Sequence, residues 1–403
     1  MLTVLRQRNF ALLWVGGLTS SIGSTMLIIA LPFYVYARTG STLATGAMFI
    51  AETVPSVLLS SVAGVFVDRW DRRRTMIVAD VSRATLLPLL LTIQTRDGLW
   101  AIYVVAAAES AISQFFAPAN GALLPRLVGE RQLIAANSLT ALGTNLTLLI
   151  APSLGGALLG LLGLPSIVLA DSASYLVSAA LVALIRAPSE AMTRTVRTQA
   201  TALAPWKRIW REWVDGLRAM FSDRTLTALV VVMGLSSLAQ GIFTVLLAPL
   251  VKDVLLGGAL VFGGLATAQG IGGLLGGLVV GGIGQVTTPE RLIGLALVAL
   301  GVLVLIMVNM PIMALAVVLF ALAGMATVAE GIGAQTVLQD RVADRYRGRI
   351  LGAIGATGAV LTLGGMGLAS GLTDHLGIVP ILDVAGGFWL LAGVVAGVAL
   401  PKS

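Results

Sequence analysis

The sequence predicts an all-α integral membrane protein, with twelve transmembrane helices arranged as two pseudo-symmetric six-helix bundles. Hydrophobic residues make up 57% of the 403-residue chain and charged residues only 11%, whereas soluble domains are about half apolar and about a quarter charged. The mean hydropathy is +0.96. The apolar residues form long runs rather than alternating patterns, which argues against an outer-membrane barrel. A polytopic helical membrane protein explains these observations together.

Twelve apolar segments have about the length that a helix needs to cross the hydrocarbon core. In the first half they are roughly 10–37, 44–67, 75–94, 99–124, 138–162 and 165–187, and in the second half roughly 225–251, 259–283, 291–309, 311–336, 350–374 and 378–400. The longest polar stretch lies between these two sets. We therefore predict an N-terminal bundle at 1–187, a cytoplasmic linker at 188–224 and a C-terminal bundle at 225–403. Two halves of six spans are typical of a duplicated transporter, whose site lies between the halves.

Part of the linker predicts a helix that lies on the membrane surface. Trp206, Trp210 and Trp213 share one helical face, and basic residues including Arg211 and Arg218 share the other. An apolar aromatic face opposite a basic face is typical of an interfacial amphipathic helix. The alternative is a simple spacer between the two halves.

Lysine and arginine side chains indicate the orientation of the chain, because they concentrate in cytoplasmic loops. With the N-terminus inside, only Arg38, Arg96 and Lys252 fall on the outer side, and Arg83 lies within a span. Both termini are therefore expected in the cytoplasm, with the protein in the cell membrane. The net charge of +7 comes from these loops, so nucleic acid is not an expected partner.

Composition also excludes several kinds of chemistry. The chain has no cysteine and a single histidine, His375, which excludes disulfides, thiolate chemistry and a multi-histidine metal site. Its glycine clusters lack the lysine and the strand context of a phosphate-binding loop, which disfavours an ATP-driven pump. Neither an enzyme activity nor a bound cofactor is expected.

A basic turn between spans two and three carries a family resemblance. Residues 64–74 read Gly-Val-Phe-Val-Asp-Arg-Trp-Asp-Arg-Arg-Arg. This turn resembles the corresponding loop of the major facilitator superfamily, and the matching positions are Gly64, Asp68, Arg69, Arg72 and Arg73. Asp71 stands where the family has a second glycine. That replacement resembles the drug-exporting branch, which includes macrolide efflux proteins and a siderophore exporter.

Other stretches strengthen this resemblance. The segment 116–125 and a second basic turn resemble the same branch, and the turn contributes Arg345, Arg347 and Arg349. In span five, the segment 151–156 resembles the family's antiporter signature, with its kink at Pro152, Gly155 and Gly156. Ala151 replaces the first glycine of that signature. The resemblance implies alternating access, and it favours export over uptake.

The resemblance also implies a latch on the cytoplasmic side. Asp68 would face the positive N-terminal end of span eleven, near Ile350, and hold that side closed. Arg69, Arg72 and Arg73 would pair with nearby carboxylates. The alternative is that these arginines only set the topology.

Ionisable groups within spans are costly and are therefore candidates for function. Glu109 lies about ten residues into span four, or roughly 15 Å deep, and Arg83 lies about 12 Å in from the other side. Glu109 and Arg83 are expected at a similar depth and can pair, although Asp80 competes as a partner one turn from Arg83. In the family, spans one, four, seven and ten line the cavity. Glu109 is therefore a candidate for binding a proton or a cationic substrate, and a structural ion pair is the alternative.

Further acidic groups occur within the apolar segments. Glu52 in span two is expected at the interface between the halves, and Glu330 near the cytoplasmic end of span ten is expected to line the cavity or to be a solvated carboxylate at its mouth. Asp171 and Asp383 lie near the outer ends of spans six and twelve, where interfacial or helix-packing roles are expected. Related exporters often carry an acidic residue in span one where this chain has Ser24, so proton coupling is not expected there.

The sequence therefore predicts a secondary active transporter that exports amphipathic or hydrophobic small molecules, of drug or macrolide type, by proton antiport. The alternatives are a lysophospholipid or other lipid flippase, or a siderophore exporter, of the same fold and without proton coupling. A membrane receptor or scaffold that does not transport is a third possibility. The expected partners are membrane lipid, an amphipathic substrate and protons, and the protein is expected to be a monomer.

Overall fold

The computed structural model describes residues 2–67, 69–92, 98–186, 224–283, 287–342 and 344–400. Within these ranges all regular structure is helical. Twelve helices in the described residues are long and apolar enough to cross a membrane, which confirms the predicted fold class. The linker predicted at 188–224, with its amphipathic helix, lies outside the described residues up to 223.

The twelve spans begin and end close to the predicted apolar segments. In the first half they are α1 (Arg8–Thr39), α2 (Thr42–Val67), α3 (Arg72–Leu86), α4 (Leu99–Val128), α5 (Leu133–Leu162) and α6 (Leu164–Ala183). In the second half they are α7 (Arg224–Pro249), α8 (Ala259–Ile283), α9 (Pro289–Asn309), α10 (Met313–Arg341), α11 (Asp344–Leu376) and α12 (Ile378–Ala399). A 3-10 helix, Leu87–Thr92, extends α3, and a π-helical turn, Leu250–Val254, extends α7. Several helices are longer than their apolar runs because their polar ends continue the backbone hydrogen bonding.

Local sequence determines where individual helices start and stop. Asp71 is the N-cap of α3, and its side chain accepts a hydrogen bond of 2.9 Å from the backbone N–H of Arg74. An aspartate cap satisfies a free N–H group and places negative charge at the positive end of the helix. At the end of α1, Gly40 adopts a left-handed conformation with φ 64°, and its N–H donates to the carbonyl of Tyr36 at 2.8 Å. Glycine adopts this conformation without steric cost.

The chain forms two compact units. The first comprises Met1–Gly40, Ala47–Ala200 and Ala259–Gly263, and the second comprises Ser41–Gly46, Thr201–Gly258 and Gly264–Ser403. In the first unit α1 packs along α5 and α6, and α3 packs against α4 and α6. In the second unit α7 packs along α11 and α12, and α9 packs against α10 and α12. The same helix pairs recur six helices later, which is the predicted pseudo-symmetry.

Small residues allow some of these helices to approach closely. A Cβ atom added to Gly301 of α9 would lie 2.7 Å from the carbonyl oxygen of Gly386 in α12. One added to Gly276 of α8 would lie 2.7 Å from the Cα atom of Met325 in α10. Without side chains at these crossings, the helix backbones gain van der Waals contact that substitutes for the hydrophobic effect inside a bilayer.

Candidate functional site

A buried ionic cluster occupies the interior of the first unit, and Arg83 of α3 is at its centre. The Arg83 side chain is 5% exposed, and its Nη2 atom lies 2.5 Å from Oδ1 of Asp80. Its Nη1 atom lies 4.0 Å from Oε1 of Glu109, whose side chain is 12% exposed. The sequence left Asp80 and Glu109 as competing partners. In the structure Arg83 contacts Asp80 directly and remains within ion-pair distance of Glu109.

Aromatic rings hold the guanidinium group of Arg83 in place. The Cζ atom of Arg83 lies 4.1 Å from the centre of the Tyr175 ring on α6 and 5.0 Å from the centre of the Phe116 ring on α4. A cation over the face of a ring is attracted by the ring's quadrupole, more strongly when both groups are desolvated. The two rings and the carboxylate of Asp80 therefore fix the guanidinium group on several sides.

Glu109 is the end of a chain of hydrogen bonds that joins three helices. The hydroxyl group of Tyr175 on α6 donates to Oε1 of Glu109 on α4 at 2.7 Å. The hydroxyl group of Ser24 on α1 lies 2.8 Å from that of Tyr175. In the sequence Ser24 stands out only because it replaces an acidic residue of related exporters, and Tyr175 is not distinguished from other residues of its apolar segment. The Ser24–Tyr175–Glu109 chain, which we call the first relay, links the carboxylate to α1 and α6.

Asp171 of α6 belongs to the same buried region. Its sequence position suggested an interfacial or helix-packing residue near the outer end of span six, but Asp171 is fully buried. Its Oδ1 atom accepts a hydrogen bond of 3.1 Å from Ser174, and its Oδ2 atom has no hydrogen-bond partner among the described residues. The lack of a side chain at Gly23 leaves room for this carboxylate, because a Cβ atom there would clash with it. The burial of Asp171 agrees with the helix-packing alternative, and its position near a membrane interface stays a prediction.

Glu52 of α2 lies beside Glu109 in the first unit. Its predicted position at the interface between the halves stays a prediction. Both carboxylates line one small cavity, whose other walls are apolar side chains such as Leu31 and Val105. The cavity holds about 20 Å³, which is room for one water molecule. Ser110 of α4 donates a hydrogen bond of 2.6 Å to the backbone carbonyl of Glu52, and this bond joins α4 to α2 next to the cavity.

The cluster contains more acids than bases. Asp80 and Glu109 share one described cation, Arg83. Asp171 is buried without an ion pair among the described residues, and Glu52 adds a fourth carboxyl group at the adjoining cavity. An unpaired charge is costly in a low-dielectric interior. The arrangement is therefore chemically suited to binding and releasing a proton, or to binding a cationic group.

The second unit contains a smaller carboxylate site. Ser236 of α7 donates a hydrogen bond of 2.8 Å to Oε1 of Glu330 on α10. The indole Nε1–H of Trp389 on α12 donates to the hydroxyl oxygen of Ser236 at 3.2 Å. We call this chain, Trp389–Ser236–Glu330, the second relay. Glu330 is partly buried and hydrogen-bonded rather than freely solvated.

One residue of the predicted latch contacts backbone carbonyls in the structure. Arg73 was expected to pair with a carboxylate, but its Nε–H donates to the carbonyl of Val182 at 3.1 Å and its Nη2 group donates to the carbonyl of Ala183. These carbonyls lie in the last turn of α6, at the end of the helix that carries partial negative charge. Arg73 therefore caps α6.

The other latch residues are described in part. Arg69 is exposed, whereas Arg72 is buried, with no hydrogen-bond partner for Nε or Nη1 among the described residues. Gly64 lies inside α2, one turn before its end. Asp68 lies outside the described residues, as do the side chains of the second basic turn, Arg345, Arg347 and Arg349. The latch itself stays a prediction.

The antiporter-type segment lies within the uninterrupted helix α5. Pro152, Gly155 and Gly156 are buried. A Cβ atom on Gly155 would lie 2.9 Å from the carbonyl oxygen of Met26, so glycine lets α5 approach the backbone of α1 closely. A Cβ atom on Gly156 would lie 3.0 Å from the Cα atom of Gly263, in the part of α8 that belongs to the first unit. The segment therefore serves close helix packing, and its role in antiport stays a prediction.

Comparisons with known proteins agree with this architecture. A family model described as Major Facilitator Superfamily matches residues 13–366. Macrolide efflux protein A from Streptococcus pyogenes is 25% identical over 378 residues, which cover 92% of this chain and 90% of that protein. Multidrug efflux pump Tap from Mycolicibacterium fortuitum is 26% identical over 397 residues, covering 96% and 94%. The fold is also similar to that of a bacterial homologue of the iron transporter ferroportin in its inward-facing state, with a TM-score of 0.78, 17% identity and coverage of 98% and 99%.

Proposed function

Because this chain belongs to the Major Facilitator Superfamily, whose members are transporters and not enzymes, we propose that it exports amphipathic small molecules in exchange for protons. The substrates are hydrophobic or amphipathic compounds of drug or macrolide type. The names of the relatives support export. The proton gradient supplies the energy, and no other cofactor takes part.

The arrangement of Glu109 is the observation that carries this proposal. Its carboxylate is only 12% exposed, is held by the hydroxyl of Tyr175, and lies 4.0 Å from Arg83. It also lines a cavity large enough for one water molecule, next to a second carboxyl group on Glu52. A water molecule between two carboxyl groups provides a path by which a proton reaches or leaves Glu109.

Coupling follows from competition for the charge of Glu109. When Glu109 holds a proton, the cluster has one negative charge less. The protonated side chain of Glu109 is easier to bury than the ionised one. A substrate bound from the cytoplasm or the inner leaflet displaces that proton, and the halves then expose the site to the other side. The hydroxyl group of Tyr175 positions the carboxyl group by a hydrogen bond, and Arg83 forms an ion pair with it only when Glu109 is ionised.

The test is dye efflux in proteoliposomes, with an imposed proton gradient and again after an ionophore has collapsed it. We expect gradient-driven efflux in the wild type and its loss in Glu109→Gln, which keeps the shape of the side chain but cannot ionise. Asp383→Asn is the matched control, because Asp383 is another carboxylate within a span, whose partner is Asn309 at 2.8 Å. We expect the control to transport as the wild type does.

Three results would contradict the proposal. Efflux that continues unchanged without a gradient favours a facilitator or a lipid flippase of the same fold. If Glu330→Gln abolishes the dependence of efflux on the gradient and Glu109→Gln does not, the proton binds in the second unit. Equal losses in Glu109→Gln and Asp383→Asn remove any special role for Glu109.

We also propose that the transporter is a monomer in the cell membrane, with both termini in the cytoplasm. The distribution of lysine and arginine supports this orientation. Cysteines introduced at Thr3 and at Gly257, which follows α7, test it in a chain that has no native cysteine. We expect a membrane-impermeant maleimide to label the cysteine at position 257 in intact cells, and the one at position 3 only after permeabilisation. The reverse pattern would invert the topology.

A further inference from the structure

A basic and apolar groove lies on the first unit, apart from the ionic cluster. It has a volume of about 640 Å³ and lies between the start of α3 and the middle of α4. Its mouth is formed by Arg69, Trp70 and Arg74, and its walls include Val78 and Phe115. Nothing in the proposed proton exchange uses these side chains.

The groove combines positive charge with an open apolar wall. Arg69 and Arg74 are exposed, and Trp70 and Val78 are 48% and 64% exposed. The negative charge of Asp71, also at the mouth, is engaged by the N–H group of Arg74 at the start of α3. Among the described residues, two guanidinium groups face one carboxylate, so these residues give the mouth a net positive charge.

Aromatic rings shape the mouth of the groove. The Trp70 ring stacks on that of Phe115, with ring centres 5.8 Å apart and planes inclined by 22°. The centre of the Phe66 ring on α2 lies 5.3 Å from that of the Trp70 ring. Tryptophan is enriched where a membrane protein crosses from hydrocarbon to water. The stack thus places the mouth at the depth of lipid headgroups.

The apolar wall runs from this surface toward the membrane interior. Residues of the wall on α3 recur at helical spacing, from Arg74 through Val78 to Ser82. Eight residues of helix span about 12 Å, which is the length of a headgroup region and the first part of an acyl chain. Ala111 and Ile112 of α4 form the facing wall.

We propose that this groove binds an anionic phospholipid from the bilayer around the protein. The phosphate lies between Arg69 and Arg74, and an acyl chain follows Val78 and Ile112 past the Trp70–Phe115 stack. Guanidinium groups bind phosphate through charge-assisted hydrogen bonds, and a zwitterionic lipid offers them less net charge. The lipid bridges α3 and α4, the helices that carry Arg83 and Glu109.

Trp70 allows binding to be measured directly. The protein is placed in nanodiscs that contain either brominated phosphatidylglycerol or brominated phosphatidylcholine, because bromine quenches nearby tryptophan fluorescence. The difference between the wild type and Trp70→Phe isolates the signal of Trp70 from those of the other tryptophans. We expect stronger quenching by the anionic lipid at equal bromine content.

Charge variants test the role of the arginines. Each basic residue near a membrane surface favours anionic lipid by roughly fivefold, so Arg69→Gln and Arg74→Gln should each reduce the preference by about that factor. The double variant should lose most of it. Arg6→Gln/Arg8→Gln removes the same charge from two exposed arginines at the start of the chain, and its preference should change by less than twofold.

Several outcomes would overturn the proposal. Equal quenching of Trp70 by the two lipids in the wild type means that the groove does not select anionic lipid. A preference that survives in the double variant, or that falls equally in Arg6→Gln/Arg8→Gln, means that the groove is not its source. Relief of quenching by a transported dye, at concentrations where added unbrominated phosphatidylglycerol has no effect, assigns the groove to substrate instead.

Discussion

The two units use the same helix packing around very different interiors. Tyr175 lies eleven residues after the start of α6, and Trp389 lies eleven residues after the start of α12. Each aromatic side chain takes part in a relay that also contains a serine of the unit's first helix and a glutamate of its fourth. The duplicated fold thus retains a serine, an aromatic residue and a carboxylate in both halves.

The halves differ on their third helix. Arg83 lies eleven residues after the start of α3, and the residue at that position of α9 is Leu300. Asp80 likewise corresponds to Leu297, and both leucines are buried. The first unit therefore surrounds its relay with charge and the second surrounds its relay with hydrocarbon. The comparison teaches that one scaffold accommodates either interior. We therefore expect that the first unit can fold without the Asp80–Arg83 pair and that the pair serves the proposed transport.

The largest expected effect comes from converting the first interior toward the second. Arg83→Leu leaves the buried carboxylate of Asp80 without its cation, which we expect to cost about 3–5 kcal/mol of stability. Asp80→Leu/Arg83→Leu replaces both charges with the side chains found in α9, and such replacements are often neutral or stabilising. We therefore expect a large drop in melting temperature for the single variant and recovery in the double variant, measured in detergent.

Efflux measurements on these two variants distinguish an effect on folding from an effect on transport. The double variant should melt like the wild type and yet fail to couple efflux to the proton gradient, because Glu109 has lost the neighbouring cation. A double variant as unstable as Arg83→Leu would show that the first interior cannot adopt the apolar form. A stable double variant with normal coupling would show that Arg83 serves packing alone.

The sequence predicts the ionic pair but not the relay, and the reason is physical. Arg83 and Asp80 are recognisable because charges in a span are costly and because residues three apart share a helix face. Glu109 is recognisable for the first of these reasons. Tyr175 is an ordinary residue of an apolar helix, and its role arises only where α1, α4 and α6 meet.

The spans and their number were predictable because bilayer thickness sets the length of each apolar run. The carbonyl partners of Arg73 were not, since they are backbone groups of a helix more than a hundred residues later. The neighbours of Asp171 were not predictable either, for a related reason. Distance along a helix fixes depth in the membrane but does not show which helices surround a side chain.

The relays provide a second test of the comparison. Tyr175→Phe removes the hydroxyl that donates to Glu109 and keeps the ring that faces Arg83. A hydrogen bond to a charged group contributes about 1.5–3 kcal/mol, so gradient-driven efflux should fall by about tenfold or more. Ser236→Ala removes the corresponding donor to Glu330. We expect it to lower the melting temperature while leaving the dependence of efflux on pH as in the wild type.

Efflux rates measured across a range of pH distinguish the two relays. If Ser236→Ala alters the pH profile as strongly as Tyr175→Phe does, the halves share the proton-coupling role and the comparison fails. If neither variant alters it, proton exchange occurs at a carboxylate outside both relays, and the candidates in the first unit are Glu52, Asp80 and Asp171.

The smallest expected effect concerns the end of α6. Arg73→Gln removes the charged group that caps Val182 and Ala183, which should cost about 1 kcal/mol because a cation near a helix C-terminus contributes roughly that much. Arg69→Gln, at an exposed arginine of the same turn, should leave the melting temperature unchanged. In the second unit Glu290 occupies the position that corresponds to Arg73, one residue after the start of α9.

Efflux per folded molecule should match the wild type in Arg73→Gln, because capping affects stability alone. A variant that melts normally but transports poorly would instead assign Arg73 to the latch implied by the family resemblance.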